Sequence, residues 1–133
     1  MDEARLARVP LFADLSRRER EHVARFTDEL DFPEGRQLAT EGDFAYEFFV
    51  IEDGTVDVIQ QGERVNKLGP GDFFGEIGAM GGIPRVASVI TTSPVRAIVM
   101  TAHDLRAVAR EMPEVADRIR AAIEERSREL AAP

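Results

Sequence analysis

The chain contains 133 residues, of which 44% are hydrophobic, 32% are charged and none is cysteine. Its 25 Asp and Glu against 17 Lys and Arg give a formal charge of −8. This charge argues against direct binding to nucleic acid or anionic lipid, because both depend on neutralising phosphate groups. No apolar run approaches the roughly 20 residues that cross a bilayer, and the N-terminus lacks the apolar region of a secretory signal. We therefore expect a cytoplasmic chain that folds as one domain over residues 1–133.

Residues 1–31 are predicted to form a helical entry. Ser16 is followed three residues later by Glu19, which is a capping-box pattern and marks the start of a helix. Val23, Phe26 and Leu30 then recur at helical spacing and extend the prediction towards residue 31.

Residues 32–100 follow a different pattern, in which Gly and Pro recur at short intervals. Between them lie runs rich in β-branched and aromatic residues, at 48–51, 56–59, 86–90 and 95–99. Short strands with turn signals between them predict an antiparallel sandwich, jelly roll or small barrel. Residues 61–65 are predicted to be the tip of a hairpin.

Residues 101–133 are predicted to be helical again. One helix covers 102–112, and Pro113 fits the first turn of the next. Val115, Ile119, Ile123 and Leu130 share one face of this last helix. Such a stripe usually packs on its own domain, and a lid over a ligand or a dimer seam are the alternatives.

The segment 69–89 is rich in glycine, and within it the acid Glu76 and the base Arg85 lie on either side of an apolar stretch. A glycine-rich turn can aim several N–H groups at an anion, and a neighbouring guanidinium adds bidentate hydrogen bonds to phosphate oxygens. A carboxylate is a hydrogen-bond acceptor and suits a hydroxyl group. The pair therefore indicates a ligand with both groups, such as a ribose phosphate. The alternative is a Glu76–Arg85 ion pair that braces a surface turn.

The segment FGEIGAMGGIPRVASV closely resembles the phosphate-binding cassette of the cyclic nucleotide-binding domain family. The positions that match its usual pattern are Phe74, Gly75, Glu76, Ile77, Pro84, Arg85, Ala87, Ser88 and Val89. EGDFAYEFFVIEDGTVDV, residues 41–58, is similar to a second block of this family, and the resemblance extends over about residues 9–127. Gly78 departs from the pattern, since the family usually has Ala there.

The resemblance implies an α+β, mainly β fold: an antiparallel eight-stranded jelly roll, or double-stranded β-helix, flanked by N-terminal and C-terminal helices. It implies that Arg85 pairs with the exocyclic oxygens of the cyclic phosphate and that Glu76 accepts a hydrogen bond from the ribose 2′-hydroxyl. Backbone N–H groups near Gly75, Glu76, Val86 and Ala87 would complete the anion site. Val86 has no hydroxyl to meet a guanine amino group, which favours cAMP over cGMP.

The ligand-binding residues expected from the resemblance are Phe74, Gly75, Glu76, Ile77, Pro84, Arg85, Val86, Ala87 and Ser88. Ligand binding is expected to dock the last helix, with Ile119 or Ile123 nearest the base and Arg126 as a polar contact. The alternative is a last helix that stays packed against the helices of residues 1–31.

Catalysis and metal binding are not expected. The two histidines, His22 and His103, lie outside the predicted strands and cannot form a facial metal triad, and Ser88 has no nearby histidine to activate it. Many bacterial relatives continue into a DNA-binding helix-turn-helix, whereas this chain ends in SRELAAP. We therefore expect a stand-alone sensor or the sensor part of a longer regulator, with a homodimer or an effector protein as partner. The competing hypothesis is an interaction module that keeps the fold without the ligand.

Overall fold

The computed structural model describes residues 2–44, 47–75 and 84–131, and for residues 123 and 126–131 it describes the backbone alone. The chain divides into two compact units. Residues 1–27 together with 103–133 form a helical unit, and residues 28–102 form a strand unit. The prediction of a single domain over residues 1–133 stays a prediction.

The helical unit contains five described helices: α1 Glu3–Leu6, α2 Pro10–Ala13, α3 Arg17–Ala24, α4 Ala102–Glu111 and α5 Pro113–Ala131. The predicted capping box is confirmed at the start of α3. The Glu19 backbone N–H donates to Ser16 Oγ at 3.1 Å, and the Ser16 backbone N–H donates to the Glu19 carboxylate at 2.8 Å. Pro113 is the first residue of α5, as its missing N–H favours.

Ion pairs connect the helices of this unit. Arg118 of α5 donates to the Glu19 carboxylate, and Arg20 Nε donates to Glu3 at 3.0 Å. The hydrogen bond from the Ser16 backbone, followed by that from Arg118, lowers the pKa of the Glu19 carboxyl from its ordinary value. Two of the apolar residues predicted to share a face of the last helix, Val115 and Ile119, are buried, and α5 contacts α2.

The strand unit contains eight described strands: β1 Asp28–Phe32, β2 Gln37–Ala39, β3 Glu47–Asp53, β4 Val56–Gln60, β5 Glu63–Leu68, β6 Phe73–Phe74, β7 Ser88–Thr91 and β8 Val95–Thr101. They form two four-stranded sheets in the orders β1-β8-β3-β6 and β2-β7-β4-β5, and every pairing is antiparallel. A mainly β fold with antiparallel sheets and flanking helices is therefore confirmed.

Both sheets contribute side chains to one apolar core. In β3 and β8 the contributing residues alternate along the strand, because successive side chains point to opposite faces of a sheet. The cluster consists of Ala39, Phe49, Ile51, Val56, Leu68, Phe74, Val89, Val95, Ala97 and Val99. Phe74 of β6 packs in this core, which fixes the position of β6 and of Gly75, the residue that follows it.

The helical prediction for residues 1–31 is wrong at its end, because residues 28–32 form β1. α3 ends at Ala24, and the Thr27 hydroxyl donates to the Ala24 carbonyl at 3.1 Å as the chain turns. All five residues of β1 then pair with β8, and Arg96 of β8 donates to Asp31 at 2.9 Å. This contact with Asp31 raises the pKa of Arg96. Tertiary pairing thus overrides the helical spacing of Leu30.

Two further predictions need narrower limits. The hairpin predicted at 61–65 turns at Gln61 and Gly62 alone, and β5 begins at Glu63. The strand predicted at 86–90 begins at Ser88. Among the described residues, no helix combines the length and the apolar character that a membrane crossing requires.

Candidate functional site

Arg85 is a buried cation held by backbone oxygens. Its side chain is 5% exposed. Nη1 donates to the Gly75 carbonyl at 2.8 Å, and Nη2 donates to the Glu47 carbonyl at 2.6 Å. Burying a charge is costly unless hydrogen bonds support it, and these two hydrogen bonds offset the cost of burying this guanidinium.

The strand register explains why these two carbonyl oxygens meet. β3 pairs with β6 so that Phe49 lies opposite Phe74, and their rings stack with centroids 4.8 Å apart. Glu47 begins β3, and Gly75 directly follows the end of β6. The apolar pair therefore aligns the two ends of strand from which the carbonyl oxygens approach Arg85.

The backbone of Arg85 is fixed by a glycine β-bulge in the turn before β3. The Gly42 N–H donates to the Arg85 carbonyl, and the Arg85 N–H donates to the Asp43 carbonyl, both at 2.8 Å. Gly42 has a φ of 88°, which glycine adopts without a steric penalty, and the Asp43 N–H closes the turn on the Thr40 carbonyl at 3.1 Å. Two residues opposite one, with glycine first, is the G1 bulge pattern. The EGD turn thus positions Arg85.

Gly75 lies where the backbone closely approaches the guanidinium. Its φ is 86°, and a Cβ there would meet Arg85 Nη1 at 2.6 Å and the Glu47 carbonyl oxygen at 2.7 Å. Real Cβ atoms essentially never come this close to another heavy atom, so any larger residue must displace one of these neighbours. The glycine of the FGE motif, Gly75, therefore leaves the space that the Arg85 guanidinium occupies.

The remaining predicted ligand residues have varied environments. Phe74 is buried in the core, Pro84 and Val86 are exposed, and Ala87 is half-buried. Ser88 Oγ accepts a hydrogen bond from the Glu41 backbone N–H at 2.9 Å, which connects β7 to the EGD turn.

Ser88 also lines a pocket of about 310 Å³ on the second sheet. Ile59 and Ile90 contribute apolar walls to this pocket. Its lining residues do not include Arg85, so the structure does not bring Ser88 and Arg85 together around this space.

Several predicted site residues lie outside the part of the chain that the structure describes. Glu76 and Ile77 fall between residues 75 and 84. Ile123 and Arg126 belong to α5, but their side chains are outside the described atoms. Of the three residues predicted for the lid, Ile119 alone has a described side chain, and it is buried. Within the described ranges, no cluster of three or more His, Asp or Glu is arranged to hold a metal ion.

The charge of the chain is concentrated in the strand unit. Residues 28–102 contain 13 Asp and Glu against 5 Lys and Arg, so this unit carries the whole formal charge of −8. The helical unit has 12 of each sign. Arg85 is thus a buried cation in a strongly acidic unit. The net charge of this unit repels an anion, so an anion is attracted only by Arg85 itself and the groups close to it.

Sequence reasoning missed the part played by Glu47. Besides its carbonyl contact, the Glu47 carboxylate places Oε2 at 3.9 Å from Arg85 Nη2, and its side chain is 50% exposed. Glu47 and Arg85 are 38 residues apart, and neither spacing nor composition connects them. The available signal was Glu47 itself, an acid placed directly before the apolar run of β3.

Comparison with known proteins gives consistent matches. A family model of the cyclic nucleotide-binding domain matches residues 29–112. The cAMP-dependent protein kinase regulatory subunit of Yarrowia lipolytica is 36% identical over 84 residues, which are 63% of this chain and 22% of that protein. The chain spans 22% to 26% of the length of the curated relatives with which it was compared.

Solved structures agree with the fold. A cyclic nucleotide-binding domain from Methylobacillus flagellatus has a TM-score of 0.82 at 28% identity, covering 96% of this chain and 76% of that chain. The catabolite activator protein of Thermus thermophilus has a TM-score of 0.79 at 26% identity, covering 90% of this chain and 59% of that chain.

Proposed function

The chain belongs to the cyclic nucleotide-binding domain family, and from this premise we propose that it is a non-catalytic sensor domain whose ligand is cAMP. The observation that carries the proposal is the buried guanidinium of Arg85, held by the carbonyl oxygens of Gly75 and Glu47. These contacts come from the chain itself and hold a positive charge inside the family's cassette. A side chain that its own chain holds in place loses less conformational freedom when it binds a ligand.

In this proposal each site residue has a separate task. Arg85 pairs with the exocyclic oxygens of the cyclic phosphate, because a guanidinium binds such oxygens bidentately. Glu76 accepts a hydrogen bond from the ribose 2′-hydroxyl, and N–H groups near Gly75, Val86 and Ala87 complete the anion site. The strands form the family's eight-stranded jelly roll around the nucleotide, within one regulatory domain that covers residues 1–133.

The choice of cAMP over cGMP rests on two observations. Val86 has an exposed apolar side chain at the position where a hydroxyl would serve a guanine amino group. The regulatory subunits that the chain resembles are those of protein kinases named as cAMP-dependent. We propose that an effector protein or a second copy of the chain reads the ligand state.

The proposed signal is a change in the position of α5. A ligand shifts such an equilibrium only by its different affinity for the two states. Ile119 is buried and Arg118 pairs with Glu19 of α3, and both contacts hold α5 within the helical unit. A position of α5 that exposes Ile119 costs about 1.5–3 kcal/mol, which a higher affinity of cAMP for that state must offset. The same contacts support the alternative in which α5 stays packed against the helices of residues 1–31. The competing hypothesis of an interaction module that keeps the fold without the ligand is tested by the affinity for cAMP.

Calorimetric titration of Arg85→Ala tests the proposed function. Removing one member of a buried charged pair costs about 2–5 kcal/mol, which weakens cAMP binding at least about 30-fold. Arg85→Lys should restore little, because a point charge does not reproduce the guanidinium fork. Arg96→Ala is the matched control, since Arg96 is an exposed cation of the same unit and should leave affinity unchanged. Wild-type affinity in Arg85→Ala would overturn the proposed site.

A further inference from the structure

Glu47 brings two kinds of oxygen to the same nitrogen of Arg85. Its carbonyl accepts from Nη2 at 2.6 Å, while its carboxylate Oε2 lies 3.9 Å from Nη2. The carbonyl belongs to the backbone and is present whatever side chain occupies position 47. The carboxylate is half-exposed and adds a negative charge beside the proposed phosphate seat. The two contributions can therefore be separated by changing the side chain.

A carboxylate at this place repels a bound phosphate in proportion to the charge of that phosphate. A cyclic phosphodiester carries one negative charge. A linear phosphate monoester has a second pKa of about 6, and it therefore carries nearly two charges at neutral pH. The carboxylate thus penalises the linear ligand about twice as strongly, in free energy, as the cyclic one.

We propose that Glu47 is a specificity-determining residue whose carboxylate favours monoanionic cyclic phosphodiesters over dianionic linear monophosphates. This inference rests on the proposed function, because it assumes that phosphate binds at Arg85. It assigns to the acidic side chain a task that Arg85 cannot perform alone, since a guanidinium attracts the dianion more strongly than the monoanion. Discrimination then comes from a repulsive element placed beside an attractive one.

A purely structural role for the carboxylate makes the opposite prediction. If the side chain served only to hold the guanidinium in place, its removal would disorder Arg85 and weaken the binding of both ligands. Glu47→Gln keeps the shape and the backbone contact while removing the charge. Under the proposal, binding of cAMP tightens about 3-fold and binding of 5′-AMP about 10-fold, as expected for a partly screened charge pair.

The experiment is calorimetric titration of cAMP and 5′-AMP into the wild-type chain, Glu47→Gln and Glu34→Gln. Glu34 is the matched control, because it is an exposed acid of the same unit. It lies beside Gly35, which hydrogen-bonds Thr91 at the far end of β7 from Arg85. The expected result is a preference for cAMP over 5′-AMP that falls about 3-fold in Glu47→Gln and is unchanged in Glu34→Gln.

The outcomes separate the two claims. An unchanged preference in Glu47→Gln, or weaker binding of both ligands, overturns the role of Glu47 and leaves the proposed function standing. A wild-type chain that binds neither nucleotide overturns the proposed function and this inference together.

Discussion

Replacing Gly75 with alanine adds a single methyl group at the tightest point of the site. The new Cβ would lie 2.6 Å from Arg85 Nη1 and 2.7 Å from the Glu47 carbonyl oxygen. One of these groups must move, and the guanidinium is the more mobile, because the Glu47 carbonyl belongs to β3. The substitution therefore acts on Arg85 without removing its charge.

The magnitude follows from two separable contributions. Alanine at the positive φ of Gly75 costs roughly 1–2 kcal/mol of folding free energy. Displacing the guanidinium also loses at least one of its proposed hydrogen bonds to the cyclic phosphate. A charged hydrogen bond is worth about 1.5–3 kcal/mol, which corresponds to about a 10- to 100-fold loss of cAMP affinity. Gly35→Ala isolates the first contribution, since Gly35 has a φ of 84° and nothing within 4 Å of its Cβ position.

Urea unfolding and calorimetric titration of both variants provide the assay. Both should be destabilised by roughly 1–2 kcal/mol or more, and Gly75→Ala alone should lose cAMP affinity. If both variants bind cAMP with the same dissociation constant, the close approach at Gly75 does not position Arg85 and the reasoning is refuted.

Four further predictions concern the ligand, the last helix and the charges of the chain. Glu76→Gln should weaken cAMP binding clearly but scarcely change binding of 2′-deoxy-cAMP, and equal losses for both ligands would make Glu76 a structural residue. Saturating cAMP should slow hydrogen exchange over residues 113–130, and unchanged protection there would mean that α5 is not the moving element. Because the pKa of Glu19 is lower in the folded chain, its ion pair stabilises the fold above about pH 4.5 and is lost as the pH falls below that value. Glu19→Gln should therefore lower the melting temperature at pH 7 and much less at pH 3, and an equal loss at both would contradict the pairing. Raising the salt concentration from about 50 to 300 mM should leave cAMP affinity unchanged or increase it. Salt screens the repulsion between cAMP and the charge of −8 on the strand unit more than it screens the buried contact with Arg85. A steady loss of affinity with salt would argue for an exposed cationic site.

The sequence predicted the parts of the fold that local chemistry determines. The capping box at Ser16, the start of α5 at Pro113 and the apolar runs of β3 and β8 all follow from patterns within about ten residues. β1 was missed because its acidic residues have little preference for strands and its pairing with β8 joins residues more than 60 positions apart. Long-range pairing decides such a segment, and no local pattern records it.

The sequence pointed to the residues proposed for the site but not to the contacts that hold them. The cassette pattern identified Arg85 and Gly75. The contacts that hold them come from Gly42, Asp43 and Glu47, which approach through a bulge and through the register of β3 against β6. Glycine in the EGD turn indicates a bend, but which backbone groups face Arg85 depends on where the two strands meet in space.

The edges of the two sheets have a consequence for the behaviour of the chain at high concentration. β6 and β2, each at one edge, have only two and three residues, which offer few free hydrogen-bonding groups to a neighbouring strand. The opposite edges are charged: β1 contains Asp28, Glu29 and Asp31, and β5 mixes acidic and basic residues. Short or charged edges oppose the addition of a foreign strand. Copies of this strand unit that meet in a crowded solution should therefore separate again rather than extend one another's sheets into fibrillar aggregates.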